Sequence, residues 1–126
     1  MIVHASALLA ILLEESDAGL YLQKLESVDE IWISPMSWWE VMVRVRRVKG
    51  EIGEKLAQRL LSSKDIQVAS IGPADALAAF EASKKYGGGP ARLNMGDCFA
   101  YALAKQKDLP LLFKGNDFAA TDVKVA

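Results

Sequence analysis

The chain opens Met1-Ile2-Val3-His4-Ala5-Ser6-Ala7-Leu8-Leu9-Ala10-Ile11-Leu12-Leu13, and the reading of this stretch decides the fold. Residues 1–5 are few, apolar and centred on β-branched side chains, as in a strand buried on both faces. Ser6 is placed to cap a following helix, because a serine oxygen can accept from an orphan N–H of a first turn. The apolar run stops at Glu14-Glu15, far short of a bilayer span, and no basic leader precedes it. It therefore reads as a core or interface helix, and a buried strand feeding a helix is the first unit of an alternating α/β chain.

The alternation continues outward from this opening. Asp17 can cap a second helix through about Val28, and Ile31-Trp32-Ile33 is the next strand. Ser34-Pro35 suits a helix start, since proline at the first helical position gives up only an orphan donor; that helix stops near Gly50, and residues 51–63 form another. Residues 66–70 are the third strand, and Pro73 opens a helix to Tyr86. Gly87-Gly88-Gly89-Pro90 breaks the chain as a flexible loop with no phosphate-cradling pattern. Asn94 caps a helix from Met95 to Lys107, Pro110 precedes the strand Leu111-Leu112-Phe113, and Gly115-Asn116-Asp117 turns the chain again. Short apolar strands separated by helices predict a parallel sheet covered on both faces.

With 126 residues, 52% of them hydrophobic, the chain is expected to form one domain over residues 1–126. A net charge of -1 and a pI of about 5.8 exclude a global electrostatic pull toward phosphate, so any nucleic-acid contact must come from local basic patches. The single Cys98 cannot form an internal disulfide, which points to a reducing cytoplasm.

In open parallel sheets, ligands bind beyond the carboxyl ends of the strands. That rule selects His4 after the first strand, Asp117 after the last, Asp97 in the first turn of a helix, and Glu40 in the helix entered from the second strand. Each also has an ordinary explanation. Asp97 follows Asn94 by three residues in a capping-box pattern, and a carboxylate there complements the helix dipole. Glu40 has Arg44 one turn later as an ion-pair partner, although its apolar neighbours Met36, Trp38, Trp39, Val41 and Met42 would equally hold it against a buried cleft. Asp117 can end a turn, and a lone histidine on an apolar strand is commonly a hydrogen-bonded core residue.

Taken together, His4-Ala5-Ser6-Ala7, Ile33-Ser34-Pro35 ahead of Glu40, Leu93-Asn94-x-Gly96-Asp97-Cys98-x-Ala100 and Leu111-x-Phe113-x-Gly115-Asn116-Asp117-Phe118 with Thr121-Asp122 resemble PIN-domain ribonucleases. Within them the chain most resembles the VapC toxins of bacterial type II toxin–antitoxin systems, over essentially its whole length. The resemblance implies a three-layer α/β/α fold around a parallel sheet, with a cleft where acids bind Mg²⁺ or Mn²⁺ and RNA is cut. It also implies a homodimer and a cognate VapB-like antitoxin that occludes the cleft. By motif match, Glu40, Asp97 and Asp117 take the positions of family acids, and Asn94, Ser6 and Thr121 match nearby polar positions. His4 stands where the family has its first aspartate, so the metal set implied here is His4, Glu40, Asp97 and Asp117.

Phosphodiester hydrolysis at such a site uses hard cations to orient phosphate, generate hydroxide and stabilise the leaving oxygen. Converging carboxylates suit Mg²⁺, and exchanging one for imidazole removes a negative charge and shifts preference toward softer ions. His4 is accordingly read in three ways: a ligand variant, a natural loss of catalysis with partner binding kept, or an engineered disarming. A receiver domain is set aside, because it needs acids after the first strand and an acceptor aspartate after the third, where His4 and Ala69-Ser70 stand. The remaining alternative is an interaction module on the same fold, using the apolar helix at residues 8–13 or the Trp38-Trp39 pair. Arg44, Arg46, Arg47 and Lys49, with Lys84, Lys85, Arg92 and Lys114, are the candidate phosphate contacts, although late cations on a helix also serve its dipole.

Overall fold

A computed structural model describes residues 1–126. Strands β1 (Ile2–Val3), β2 (Ile31–Ile33), β3 (Ile66–Val68) and β4 (Leu111–Leu112) form one sheet in the order β3-β2-β1-β4, with every neighbouring pair parallel. The helices are α1 (Ala5–Leu12), α2 (Ala18–Glu26), α3 (Pro35–Ser63), α4 (Pro73–Tyr86) and α5 (Met95–Lys107), and a 3₁₀ turn spans Asp117–Ala120.

The strands are short because both faces of the sheet are covered, and successive side chains divide between two cores. Val3, Ile31, Ile33 and Leu112 pack with α1, α2 and α3 on one side. Ile2 and Leu111, with half-buried Trp32 and Phe113, pack with α4, α5 and the segment through Val123 on the other. This is the α/β/α sandwich expected from the sequence. Ile2 and Val3 are fully buried, and burying such a side chain contributes about 1.5–3 kcal/mol, so the first strand anchors both layers.

Several local expectations change. The cap of α1 is His4, whose Nδ1 accepts from the Ser6 N–H at 3.2 Å; Ser6 lies inside the helix. Asp17 precedes α2 but makes no capping bond, because its carboxylate turns to Lys114 at 2.9 Å. The apolar run in α1 is mostly core: Ala5, Ala7, Leu8, Ala10 and Leu12 are buried, while Leu9, Ile11 and Leu13 are half-buried. The two helices expected around Gly50 exist without a loop between them, as Gly50 breaks the run at φ 63°, ψ -146°, in the left-handed region that favours glycine. Beyond the break the chain folds back so tightly that a Cβ at Gly53 would lie 2.4 Å from the Val45 carbonyl oxygen. No helix is long and apolar enough to cross a membrane.

After β1 the chain builds β2 and β3 to one side, then returns to place β4 on the other side of β1. The strand order therefore switches between β1 and β4, and such switch points open a crevice at the carboxyl ends of the strands.

Candidate active site

His4 leaves β1 directly into that crevice. Its Nε2 lies 3.0 Å from Asp97 Oδ1, and the two residues are 6% and 3% exposed. The approach is close but poorly aligned, so Nε2 has no well-directed hydrogen-bond partner.

Asp97 is held by its own helix. Asn94 Oδ1 accepts from the Asp97 N–H at 2.9 Å, and Asp97 Oδ2 accepts from the Asn94 N–H at 3.0 Å, a reciprocal capping box. The structural and chemical readings of Asp97 thus hold together: capping occupies Oδ2 and leaves Oδ1 facing the end of β1. Between them, Gly96 leaves the first turn of α5 bare. A Cβ there would lie in ordinary contact, 3.5 Å from both Asn94 Oδ1 and Glu40 Oε2, so the α3 carboxylate stands beside the α5 cap. Glu40 is exposed, contrary to the buried alternative, and it makes no ion pair with Arg44. It remains in water because that end of α3 is open, with Trp39 62% exposed beside it.

The segment after β4 reaches the same place through its aromatic residues. Phe118 is buried and meets the His4 ring edge-on, centroids 5.2 Å apart, while also packing on Phe113. Asp117, one residue earlier, is exposed and makes no side-chain hydrogen bond or ion pair with His4 or Asp97. Ser6 belongs to the site: its Oγ is 2.9 Å from His4 Nδ1 and accepts from the Lys114 N–H at 2.9 Å. Thr121 does not, for its hydroxyl donates to the Phe118 carbonyl at 2.8 Å and accepts from the Val123 N–H at 3.3 Å, fixing the 3₁₀ turn.

Four of the eight candidate phosphate contacts are ion-paired, and Arg44, Arg47, Lys85 and Arg92 form no ion pair. Lys114 pairs with Glu15 and Asp17, whose hydrogen bonds push its pKa up. Arg46 pairs with Glu54, Lys49 with Glu14 and Lys84 with Glu81. Asp122 accepts from Tyr101, Tyr86 and Lys105, and the Tyr101 bond, foremost, brings its carboxyl down to about 2. Burial and that same carboxylate push the Tyr101 hydroxyl well up. These contacts fasten the Thr121-Asp122 segment onto α4 and α5.

No three His, Cys, Asp or Glu side chains stand close enough to enclose one metal ion. His4, Glu40, Asp97 and Asp117 therefore do not form the four-ligand cage that the family resemblance implied. The arrangement fits a more open group. Mg²⁺ commonly takes one or two protein carboxylates, several waters and a substrate phosphate; Asp97 in the first turn of α5, with Glu40 Oε2 reaching that same turn beside Gly96, would supply such a donor set. Two further buried polar residues, Ser34 and Ser37, stand at the carboxyl end of β2, where Ser34 Oγ accepts from the Ser37 N–H at 3.1 Å. Sequence reading took Ser34 only as a helix start; the sign of more was a second hydroxyl three residues on, at Ser37, in an otherwise apolar stretch. Gly96 was likewise legible only as part of a motif, since its neighbour Glu40 comes from a different helix.

A fold and a crevice of this kind define a class, and comparison with known proteins identifies it. The PIN domain family model matches residues 1–124. Ribonuclease VapC42 of Mycobacterium tuberculosis is 40% identical over 130 residues, covering 100% of this chain and 98% of the relative. A ribonuclease VapC of Mycolicibacterium smegmatis is 38% identical over 125 residues, covering 98% and 97%. Among solved structures, M. tuberculosis VapC20, described as a Sarcin-Ricin loop cleaving toxin, superposes with a TM-score of 0.84 at 16% identity over 99% of this chain and 97% of that one. A toxin–antitoxin complex from Klebsiella pneumoniae gives 0.76 at 22% identity, over 99% and 95%. The chain belongs to the PIN-domain family, as a VapC-type member. VapC ribonucleases of this family are in general dependent on a divalent metal.

Proposed function

We propose that this protein is an endoribonuclease toxin that hydrolyses RNA phosphodiester bonds at the Asp97 crevice and is neutralised by a cognate VapB-like antitoxin. The observation that carries the reading is the Asp97 carboxylate: buried, fixed by the Asn94 capping box, and aimed at the switch point of the sheet with Glu40 across Gly96. Mg²⁺, with Mn²⁺ as the substitute, is the proposed ion, held by Asp97 and Glu40 with Asp117 joining through water or bound RNA. When bound, a hard cation orients the phosphate and lowers the pKa of its water. The chain's own residues orient Asp97, keep Glu40 within reach of substrate and, through Phe118 and Phe113, exclude water from behind His4.

Antitoxin binding and self-association need apolar surface, and α3 and α4 provide it. Trp39 is 62% exposed on α3, while Leu77 and Phe80 on α4 and Met95 at the start of α5 are 60%, 58% and 68% exposed. The α4–α5 face, around a cavity of about 330 Å³ lined by Phe80, Leu93, Met95 and Phe99, is the proposed homodimer surface. The buried free Cys98 suits action in the cytoplasm.

A second reading, an interaction module with impaired catalysis, draws on the His4–Asp97 contact, which places a nitrogen where the family has an acid. The deciding experiment is RNA cleavage by the purified full chain in Mg²⁺, Mn²⁺ and EDTA, beside Asp97→Asn, with metal uptake followed by calorimetry. Metal-dependent cleavage lost in Asp97→Asn supports the nuclease. Neither cleavage nor metal uptake would establish the module.

A further inference from the structure

We propose that His4 acts in this site as an N–H donor that positions Asp97, and that it is not a ligand to the cation; the catalytic consequence rests on the nuclease reading above, the donor assignment does not. Two donors meet His4 Nδ1. The Ser6 backbone N–H approaches at 3.2 Å, and the Ser6 hydroxyl lies at 2.9 Å. That hydroxyl accepts from the Lys114 N–H at 2.9 Å and keeps its own proton free to donate to the ring, while the backbone N–H can only donate and so decides the polarity. Nδ1 must therefore present a lone pair, and the ring proton resides on Nε2.

The other side of the ring agrees. Nε2 faces Asp97 Oδ1 at 3.0 Å, and an ionised carboxylate only accepts. Moving the proton to Nδ1 would set an N–H against the Ser6 N–H and a lone pair against the carboxylate oxygen. Both contacts would be repulsive.

Metal-binding histidines have the opposite polarity. Their second nitrogen donates its N–H to a carboxylate, carbonyl or water, which frees a lone pair on the first for the ion. In this chain the second nitrogen is an acceptor, fixed by the N-cap of α1. His4 is also only 6% exposed and Phe118 closes one edge of its ring, so there is little room to turn it over. Nε2–H and Asp97 Oδ1 are close but misaligned, so the bond is completed only when the carboxylate or the ring reorients, and that reorientation would set which lone pair of Oδ1 is left for a cation.

His4 is the only histidine in the chain, so a two-bond ¹H–¹⁵N spectrum reports this ring alone. In the metal-free full-length protein we expect a protonated, pyrrole-like Nε2 and a pyridine-like Nδ1, unchanged at saturating Mg²⁺. The Nε2 proton should shift upfield in Asp97→Asn while Nδ1 keeps its position. A pyridine-like Nε2, with or without Mg²⁺, or an Nε2 proton indifferent to Asp97→Asn, would overturn the assignment. For catalysis, His4→Leu should lower kcat by about tenfold or more with KM little changed, as loss of a ligand-orienting partner does, and His4→Gln, which carries an N–H to similar reach, should recover most of it. Equal loss in both variants overturns the positioning role. A wild-type chain with the expected spectrum that cuts no RNA would instead remove the nuclease reading and leave the donor assignment standing.

Discussion

Asp97 Oδ1 stands 3.0 Å from His4 Nε2, joining the first turn of α5 to the end of β1 across the switch point of the sheet. The family resemblance implies an acid where this imidazole lies, and the two arrangements differ in charge and in what they can hold.

Restoring that acid should strengthen metal binding. Aspartate is a good N-cap and can accept from the Ser6 N–H as His4 Nδ1 does, so His4→Asp keeps the helix start and adds a hard oxygen ligand. Ribonuclease activity in Mg²⁺ is expected to rise at least about tenfold, since Mg²⁺ prefers converging carboxylates. Equal or lower activity in the folded variant counts against this site.

Asn94 links stability to activity. Asn94→Ala removes the acceptor for the Asp97 N–H and should destabilise the protein by about 0.5–2 kcal/mol in urea unfolding. Activity per folded molecule should fall as well, because half of the frame that orients Asp97 is lost. Unchanged specific activity would make the capping box purely structural.

Gly96→Ala should separate the two properties in the other direction. Alanine is favoured over glycine in a helix by about 1 kcal/mol, and the new Cβ would meet only ordinary contacts at 3.5 Å, so the midpoint of unfolding should rise. The same methyl group sits between Asn94 Oδ1 and Glu40 Oε2, and Mg²⁺ uptake measured by calorimetry should weaken. A variant as active as the parent would show that Glu40 does not work across this gap.

Acid should loosen the segment after the 3₁₀ turn. Asp122 has its carboxyl lowered to about 2 from 3.8, chiefly by the Tyr101 hydrogen bond and then by Lys105, so the folded protein binds fewer protons there than the unfolded chain. Its contribution is therefore complete above about pH 4 and disappears as pH falls toward about 2. With the side chain 52% exposed, solvent screening keeps that contribution below what the full shift would imply. Unfolding curves between those limits should show a steeper acid loss in wild type than in Asp122→Asn; parallel curves would rule out this linkage.

Much of this was written locally. Ile31-Trp32-Ile33 predicted its own strand, Pro73 and Tyr86 bounded α4, and Asn94 with Asp97 announced their capping box, all through bonds closed within a few residues. Other local patterns misled because a distant partner outcompeted them. Asp17 has the form of a cap but is drawn to Lys114, 97 residues away; Ser6 yields the cap of α1 to His4 and turns its hydroxyl between that ring and the Lys114 N–H.

The sequence by itself determined the alternation of strands and helices and a sheet covered on both faces, because hydrophobic period and capping chemistry act at short range, and its motifs carried the resemblance to the family. Only the tertiary structure decided that His4 meets Asp97, that Glu40 stays in water beside Gly96, and that Thr121 turns away. Those outcomes follow from the return of β4 to the far side of β1, a long-range pairing that sets which strand and helix ends share a crevice and that no local spacing encodes.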